Sequence, residues 1–159
     1  MYRAARMRSN AIVTAIGTCV PDRVMTNADL ERMVDTSDEW IVRRTGIRER
    51  RIAAEDEYAS RLATAAVRDL ASRWNKTIDD VDCILTATST PDAVFPGVSA
   101  LVQAELGIRA AAAVDLQAAC AGFVSGLQMA SGLILSGLYR KVLVIAADTL
   151  SKVTDYTDR

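Results

Sequence analysis

The apolar residues of this chain follow two alternating patterns. Four short segments rich in apolar and β-branched residues predict strands, at residues 10–19, 81–88, 110–116 and 141–147. Between them, apolar positions that recur every three or four residues predict helices at residues 28–34, 36–44, 58–74, 98–106 and 120–136. Alternating helices and largely apolar strands are typical of an α/β fold with a mostly parallel sheet that helices cover on both faces.

Capping signals mark the ends of several predicted helices. The run from Thr36 to Glu39 has the spacing of a capping box, and Gly46 follows the end of the same helix. Gly107 and Gly137 follow the ends of two later helices in the same way.

The predicted helix after Cys120 is unusual because apolar side chains surround it. A helix without a polar face has to be buried on all sides. One sheet cannot cover it, so we expect a second layer from another domain or another chain.

Cys120 stands where the third predicted strand turns into this helix, among small residues. A sharp strand-to-helix turn needs small neighbours, and the first turn of a helix favours an anion. A thiol placed there is biased towards the nucleophilic thiolate. The local pattern fits a catalytic cysteine and a small buried core cysteine equally well.

The composition of the chain argues against several classes of function. The 159 residues carry a formal net charge of −1, which gives no reason to expect a nucleic acid or an acidic membrane surface as partner. No apolar run is long enough to span a bilayer. Residues 1–9 are basic and are expected to be a disordered N-terminal segment. We therefore expect one domain at residues 10–159.

The cysteine and histidine counts limit the chemistry. Three cysteines without a C-x-x-C spacing predict neither a disulfide framework nor a zinc site, and we expect a cytoplasmic protein without a metal. The chain contains no histidine, so no mechanism that uses histidine is possible with this chain alone.

Three segments resemble one enzyme family. Residues 35–50 (DTSDEWIVRRTGIRER) resemble a signature of β-ketoacyl-[acyl-carrier-protein] synthase III, which starts bacterial fatty-acid synthesis. Residues 118–123 (AACAGF) resemble its active-site segment, and residues 157–159 (TDR) resemble a third family stretch. The similarity runs in order from about residue 12 to residue 159, and it assigns Cys120 to the catalytic position.

The resemblance implies a thiolase-type fold, in which two similar halves pack as αβαβα layers around buried helices. Residues 10–159 would be the N-terminal half. Family members are about twice as long, and a His and an Asn in their second half complete the active site. We therefore expect a companion C-terminal half, as a chain or a fragment, and a homodimer.

The resemblance also implies a reaction. An acyl-CoA would acylate Cys120, and malonyl-ACP (ACP, acyl carrier protein) would then lose carbon dioxide and attack the acyl-enzyme to give 3-ketoacyl-ACP. Acyl-CoA is a substrate in this scheme, and no cofactor is expected.

Four residues match family positions that contact CoA: Thr36, Trp40, Arg44 and Arg159. Phe95 matches a residue that closes the acyl pocket of the neighbouring subunit. The structural alternatives are that Trp40 anchors a core and that Phe95 is a hydrophobic staple at a helix entry. Cys19 and Cys83 fall on predicted strands and are expected in the core.

Two other classes of function remain. One is a related thiolase-fold condensing enzyme, such as a chalcone-synthase-like (polyketide) or hydroxymethylglutaryl-CoA-synthase-like protein, against which residues 35–46 argue. The other is a non-catalytic acyl-CoA-binding half-domain, which only the missing histidine favours.

Overall fold

The computed structural model describes residues 10–158. Residues 1–9 and Arg159 lie outside this range, so the expected disorder of the N-terminal segment stays a prediction. The strands are β1 (Arg23–Thr26), β2 (Glu49–Ile52), β3 (Cys83–Ala87), β4 (Ala112–Leu116) and β5 (Val142–Ala146). The helices are α1 (Asn27–Glu31), α2 (Asp38–Thr45), α3 (Ala59–Trp74), α4 (Val98–Leu106) and α5 (Gly122–Leu135). Short 3₁₀ turns occupy Ala119–Ala121 and Leu150–Lys152.

A parallel three-stranded sheet forms the centre of the fold. Its strand order is β4–β3–β5, and Leu85 on β3 lies opposite Val114 on β4 and Val144 on β5. All five residues of β3 are buried, as expected for a central strand with both faces covered. The predicted α/β class is confirmed, and so are three of the four predicted strands.

The alternation of side chains along β3 divides the core between the two faces of the sheet. Ile84 points to the face where α3 and α4 pack, against Ala63 and Val102. Leu85 points to the opposite face, where it packs with Ala130 of α5. Helices therefore cover both faces of the sheet.

Helix α5 contacts the sheet through its small residues. Gly122, Gly126 and Ala130 are buried, and a Cβ atom on Gly126 would lie 2.8 Å from Cγ1 of Val144. Five large apolar side chains of α5 are exposed in this chain: Phe123, Val124, Leu127, Met129 and Leu135. This arrangement agrees with the expectation that a second layer covers the helix.

The strand predicted at residues 10–19 is wrong: this segment has no regular secondary structure and pairs with no strand among the described residues. It lies along α3, where the backbone N–H of Thr18 donates to Asp69 and the indole of Trp74 donates to the carbonyl of Ile16. Ile12 is 80% exposed. The β-branched composition favours a strand, but a strand forms only where a neighbouring strand is available for pairing, which composition does not report.

The prediction for Cys19 is wrong for the same reason. It was expected in the core, yet it is exposed because the segment that carries it lies at the surface. Cys83 is buried on β3, as predicted. Burial raises the pKa of the Cys83 thiol, and the charge of Asp82 adds to the effect.

Sequence patterns missed the antiparallel pair of β1 and β2, in which Val24 lies opposite Arg51. Both strands have four residues, and β2 is mostly charged, so neither has an apolar signal. The capping box also lies elsewhere: Thr26 and Asp29 form it at the start of α1. Ser37, rather than Thr36, caps α2, because its side chain accepts from the N–H of Trp40 at 3.2 Å.

Candidate functional site: an exposed cysteine at the carboxyl edge of the sheet

Cys120 lies four residues beyond the end of β4, in the 3₁₀ turn that precedes α5. Its side chain is exposed in this chain. Ala119 has a φ of 44°, which L-residues with a side chain seldom adopt. The chain thus makes a tight turn that presents the thiol immediately before the first turn of a helix, as the sequence predicts.

Small residues allow this turn to sit against the sheet. A Cβ atom on Gly122 would lie 2.7 Å from the Cβ of Ala87, closer than side chains tolerate. Ala87 is the last residue of β3. The start of α5, and with it Cys120, is therefore held directly above the carboxyl end of the central strand.

Phe95 lies at the same edge of the sheet, in the loop that joins β3 to α4. The carboxyl ends of parallel strands are where α/β proteins usually bind ligands. The Phe95 side chain is 87% exposed and that of Val94 is fully exposed. The alternative role of Phe95 as a helix-entry staple does not agree with this exposure.

Helix α2 brings Trp40 and Arg44 together. The residues lie one turn apart, and the guanidinium carbon of Arg44 is 5.4 Å from the centre of the Trp40 ring. This is a cation–π distance. The Trp40 side chain is partly exposed, so it is not a core anchor.

Thr36 and Trp40 line a groove of about 370 Å³. The end of the described chain, including Tyr156 and Asp158, also lines this groove. Arg159 lies outside the described residues, although the preceding residue is part of the groove. The structure thus brings together three of the four predicted CoA residues, Thr36, Trp40 and Arg44, while Cys120 lines no part of this groove.

Sequence reasoning missed Asn27, which fixes this region. Its buried side-chain amide donates to Asp38 at 2.7 Å and to the carbonyl of Ile47 at 2.9 Å, and its oxygen accepts from Arg50 at 2.8 Å. These contacts join the start of α2 to the segment after its end. The only sequence signal is a polar residue at the start of a predicted helix, which is typical of a helix cap.

Within residues 10–158, no group of three or more His, Cys, Asp or Glu side chains is placed to hold a metal ion. None of the helices in the same range is both long and apolar enough to cross a membrane.

Known proteins match the chain in both sequence and structure. Residues 114–159 match the family model for 3-oxoacyl-[acyl-carrier-protein (ACP)] synthase III. Over 151 residues the chain is 62% identical to β-ketoacyl-[acyl-carrier-protein] synthase III 2 of Halalkalibacterium halodurans, a match that covers 95% of this chain and 46% of that protein.

Two solved structures extend the comparison. The crystal structure of β-ketoacyl-[acyl-carrier-protein] synthase III from Thermus thermophilus has a TM-score of 0.89 and 53% identity, covering 94% of this chain and 46% of that chain. The priming β-ketosynthase of the R1128 polyketide pathway has a TM-score of 0.86 and 36% identity, covering 91% and 43%.

The fold and the cysteine turn define a thiolase-like α/β half-domain. The chain spans about half the length of the curated relatives that it matches. Over that half, its sequence is similar to β-ketoacyl-[acyl-carrier-protein] synthase III proteins.

Proposed function

We propose that this chain is the nucleophile-bearing half of a condensing enzyme that starts fatty-acid synthesis. The thiolate of Cys120 attacks the carbonyl carbon of an acyl-CoA thioester, and the CoA thiolate leaves and takes up a proton. Malonyl-ACP then loses carbon dioxide, and the resulting carbanion attacks the acyl-enzyme. The Cys120 sulfur leaves as 3-ketoacyl-ACP forms, which regenerates the enzyme.

The observation that carries this proposal is the placement of Cys120. It is an exposed thiol at the start of a helix and at the carboxyl edge of a parallel sheet, inside the segment that the family model matches. A core cysteine would be buried like Cys83.

The groove beside α2 fits the adenine end of CoA. The Trp40 indole and the Arg44 guanidinium offer planar, cationic surfaces for an aromatic base, and Thr36 offers a hydroxyl. Arg159 is the fourth proposed CoA contact, since the chain reaches the groove at Asp158.

Phe95 is proposed to close the acyl pocket of the neighbouring subunit in a homodimer. An aromatic side chain that is 87% exposed on a short loop is costly to leave in water and is typical of an interface.

This chain alone is proposed to be inactive in condensation. Decarboxylation develops negative charge on an enolate oxygen, which needs preorganised hydrogen-bond donors. The expected donors are the His and Asn of a second half, and this chain has no histidine. A thiol nucleophile needs a reducing compartment, so the proposal includes a cytoplasmic location, with acyl-CoA as a substrate and no separate cofactor.

Acylation by acetyl-CoA tests the proposal. The test protein is residues 1–159 joined to the remaining half of the Halalkalibacterium halodurans relative, called the full-length form below. Intact-mass analysis is expected to show one acetyl adduct, and Cys120→Ala should abolish it. Cys19→Ala is the matched control and should leave it unchanged. A full-length form that takes up no acetyl group would support a non-catalytic binding domain instead.

A condensing enzyme that primes polyketide synthesis is the second candidate. The 36% identity to the R1128 priming β-ketosynthase favours it over a hydroxymethylglutaryl-CoA-synthase-like enzyme. The two candidates share acylation of Cys120 and differ in the carrier protein that receives the acyl group. Condensation rates with a fatty-acid and a polyketide carrier protein distinguish them.

A further inference from the structure

Three aspartates hold the loop between β3 and α4, which carries Phe95. Asp148, just after β5, accepts from the N–H of Ser89 at 2.7 Å near the start of the loop. Asp92 within the loop accepts from the N–H of Ser60, at the start of α3, at 2.9 Å. Asp115 on β4 holds the end of the loop. The backbone is thus fixed on both sides of the exposed Phe95 side chain.

Asp115 acts as the N-terminal cap of α4 from outside that helix. Its carboxylate accepts from the N–H of Val98 at 2.6 Å and from the N–H of Ser99 at 2.7 Å. Gly97 occupies the ordinary capping position and has no side chain to offer. A Cβ atom on Gly97 would lie 2.7 Å from the nearer Asp115 oxygen, so the glycine is what lets the carboxylate reach the helix.

The same aspartate lies close in sequence to the nucleophile. Its backbone belongs to β4, and Cys120 follows five residues later. Ser99 strengthens the link, because its hydroxyl donates to the carbonyl of Val114 at 2.8 Å. The side chain of Asp115 therefore holds the Phe95 loop, and its backbone leads directly to the Cys120 turn.

The geometry points to Asp115 as a positioning residue that fixes the Phe95 loop relative to the Cys120 turn and thereby sets which acyl lengths the enzyme accepts. The inference rests on the proposed function, since Phe95 closes an acyl pocket only in that reaction. If the hydrogen bonds between Asp115 and the start of α4 are lost, Phe95 is free to move relative to Cys120 of the neighbouring subunit. The acyl pocket that Phe95 closes then has no fixed depth.

A purely structural role is the competing explanation, because a capped helix is also a more stable helix. The chain offers a way to separate the two. In Asp115→Ala the space beside Gly97 is free, and Gly97→Ser then supplies an ordinary cap. The double variant caps α4 again without restoring the link to β4.

The experiment measures kcat/KM for acetyl-CoA and hexanoyl-CoA, together with the urea midpoint, in five full-length forms. These are the unsubstituted protein, Phe95→Ala, Asp115→Ala, Asp115→Ala/Gly97→Ser and Phe95→Ala/Asp115→Ala/Gly97→Ser. We expect the double variant to recover the urea midpoint but to keep an acetyl-to-hexanoyl ratio changed by about tenfold, the scale on which pocket size discriminates. Phe95→Ala should abolish that change, so that the triple variant and Phe95→Ala alone have the same ratio.

Each other outcome counts against a specific claim. A double variant that recovers both the urea midpoint and the ratio shows that Asp115 only stabilises α4. A changed ratio that does not depend on Phe95 rejects the role of the loop. If Asp115→Ala does not fold, the double and triple variants still decide the question. Failure of the unsubstituted form to acylate Cys120 would instead overturn the proposed function, and this inference with it.

Discussion

Ala119 is the residue on which the Cys120 turn depends. Its φ of 44° lies in the left-handed region, whereas Ala118 before it has a φ of −141° and Gly122 after the turn has helical angles. A left-handed residue with a Cβ costs about 1–2 kcal/mol, and a β-branched side chain makes the cost larger. Backbone strain thus lies next to the proposed nucleophile, in the turn that presents the exposed thiol.

Substitution of Ala119 should separate backbone geometry from chemistry. In the full-length form, Ala119→Val is expected to lower the free energy of unfolding by about 1–3 kcal/mol, because a β-branched residue disfavours a positive φ. It should also slow acetylation of Cys120, because the turn relaxes and the thiol moves. Urea denaturation and the rate of acetyl-adduct formation measure the two effects.

Ala119→Gly is the matched control for that substitution. Glycine adopts the left-handed region without a steric penalty, so the turn and the acetylation rate should be kept. If valine at residue 119 acetylates as fast as alanine and glycine, the conformation of Ala119 has no part in presenting the thiol.

The packing of α5 on the sheet depends on a close approach between two elements. Gly122 at the start of α5 meets Ala87 at the end of β3, with no room for another methyl group. Gly122→Ala should therefore destabilise the protein by about 1–3 kcal/mol through overpacking, although alanine is the better helix former. Thermal and urea unfolding of the full-length form measure the change.

The reciprocal exchange is the control for this contact. Ala87→Gly alone should destabilise the protein, because glycine weakens a strand. Combined with Gly122→Ala, however, the same change removes the colliding methyl group and should raise stability above that of Gly122→Ala alone. Additive effects in this double-mutant cycle would show that the two residues do not compete for the same space.

The carboxylate of Asp82 connects the starts of β3 and β5 through hydrogen bonds. Asp82, just before β3, accepts from the backbone N–H groups of Arg140 at 2.7 Å and Lys141 at 3.0 Å. These two hydrogen bonds hold the pKa of Asp82 below its ordinary value of 3.8, and the charge of Arg140 acts in the same direction. The charged carboxylate is therefore the form that the folded protein favours.

This lowered pKa predicts an acid-dependent contribution to stability. Because the pKa of Asp82 is lower in the folded than in the unfolded protein, its contribution is present above pH 3.8 and is lost as the pH falls through the folded pKa. Asp82→Asn should be less stable than the unsubstituted full-length form at neutral pH, and the difference should shrink in acid.

Urea midpoints measured from neutral pH to about pH 3 test the effect of Asp82. Asp79→Asn is a suitable control, since Asp79 lies in the same turn and bonds only through its backbone N–H to Thr77 in the described contacts. A constant difference between Asp82→Asn and the unsubstituted protein over the whole pH range would contradict the prediction.

The sequence predicted the elements that have a local apolar pattern and missed those that depend on contacts with distant segments. The three strands of the sheet and helices α3, α4 and α5 have strong apolar patterns, because burial against neighbours selects them. Segment 10–19 and strand β2 failed in opposite ways: the first has strand composition without a paired strand, and the second is paired although it is charged. Whether a segment pairs depends on the strand that lies beside it in the fold, and a local sequence pattern does not show that neighbour.

The candidate site was predictable only in part for the same reason. Cys120 and Trp40 could be singled out from local spacing and from resemblance, and the structure places both at the surface. The roles of Asn27 and Asp115 could not be foreseen, because each acts on a segment well separated from it in sequence: Asn27 contacts Ile47, and Asp115 contacts Val98. Polar residues that join distant segments have no periodicity to reveal them.

For the whole molecule, the exposed face of α5 has the largest consequence. Its buried residues are glycine and alanine, whereas Phe123, Leu127 and Met129 are among its exposed large apolar side chains in this chain. Such a face usually belongs to an interface. We expect residues 1–159 alone to self-associate, and to form a soluble complex when the remaining half of the relative is produced beside them.

Activity should follow this association. Residues 1–159 alone are expected to produce no 3-ketoacyl-ACP, and the complex of the two halves is expected to produce it.

Leu127→Asp on the exposed face of α5 should prevent both the complex and the activity, because a charge buried without a partner costs several kcal/mol. Leu127→Met keeps the apolar surface at nearly the same volume and should preserve both. Size-exclusion chromatography and a condensation assay on the same samples make the comparison. Ketoacyl-ACP formation by residues 1–159 alone would contradict the need for a second half, and an intact complex with Leu127→Asp would show that the partner packs elsewhere.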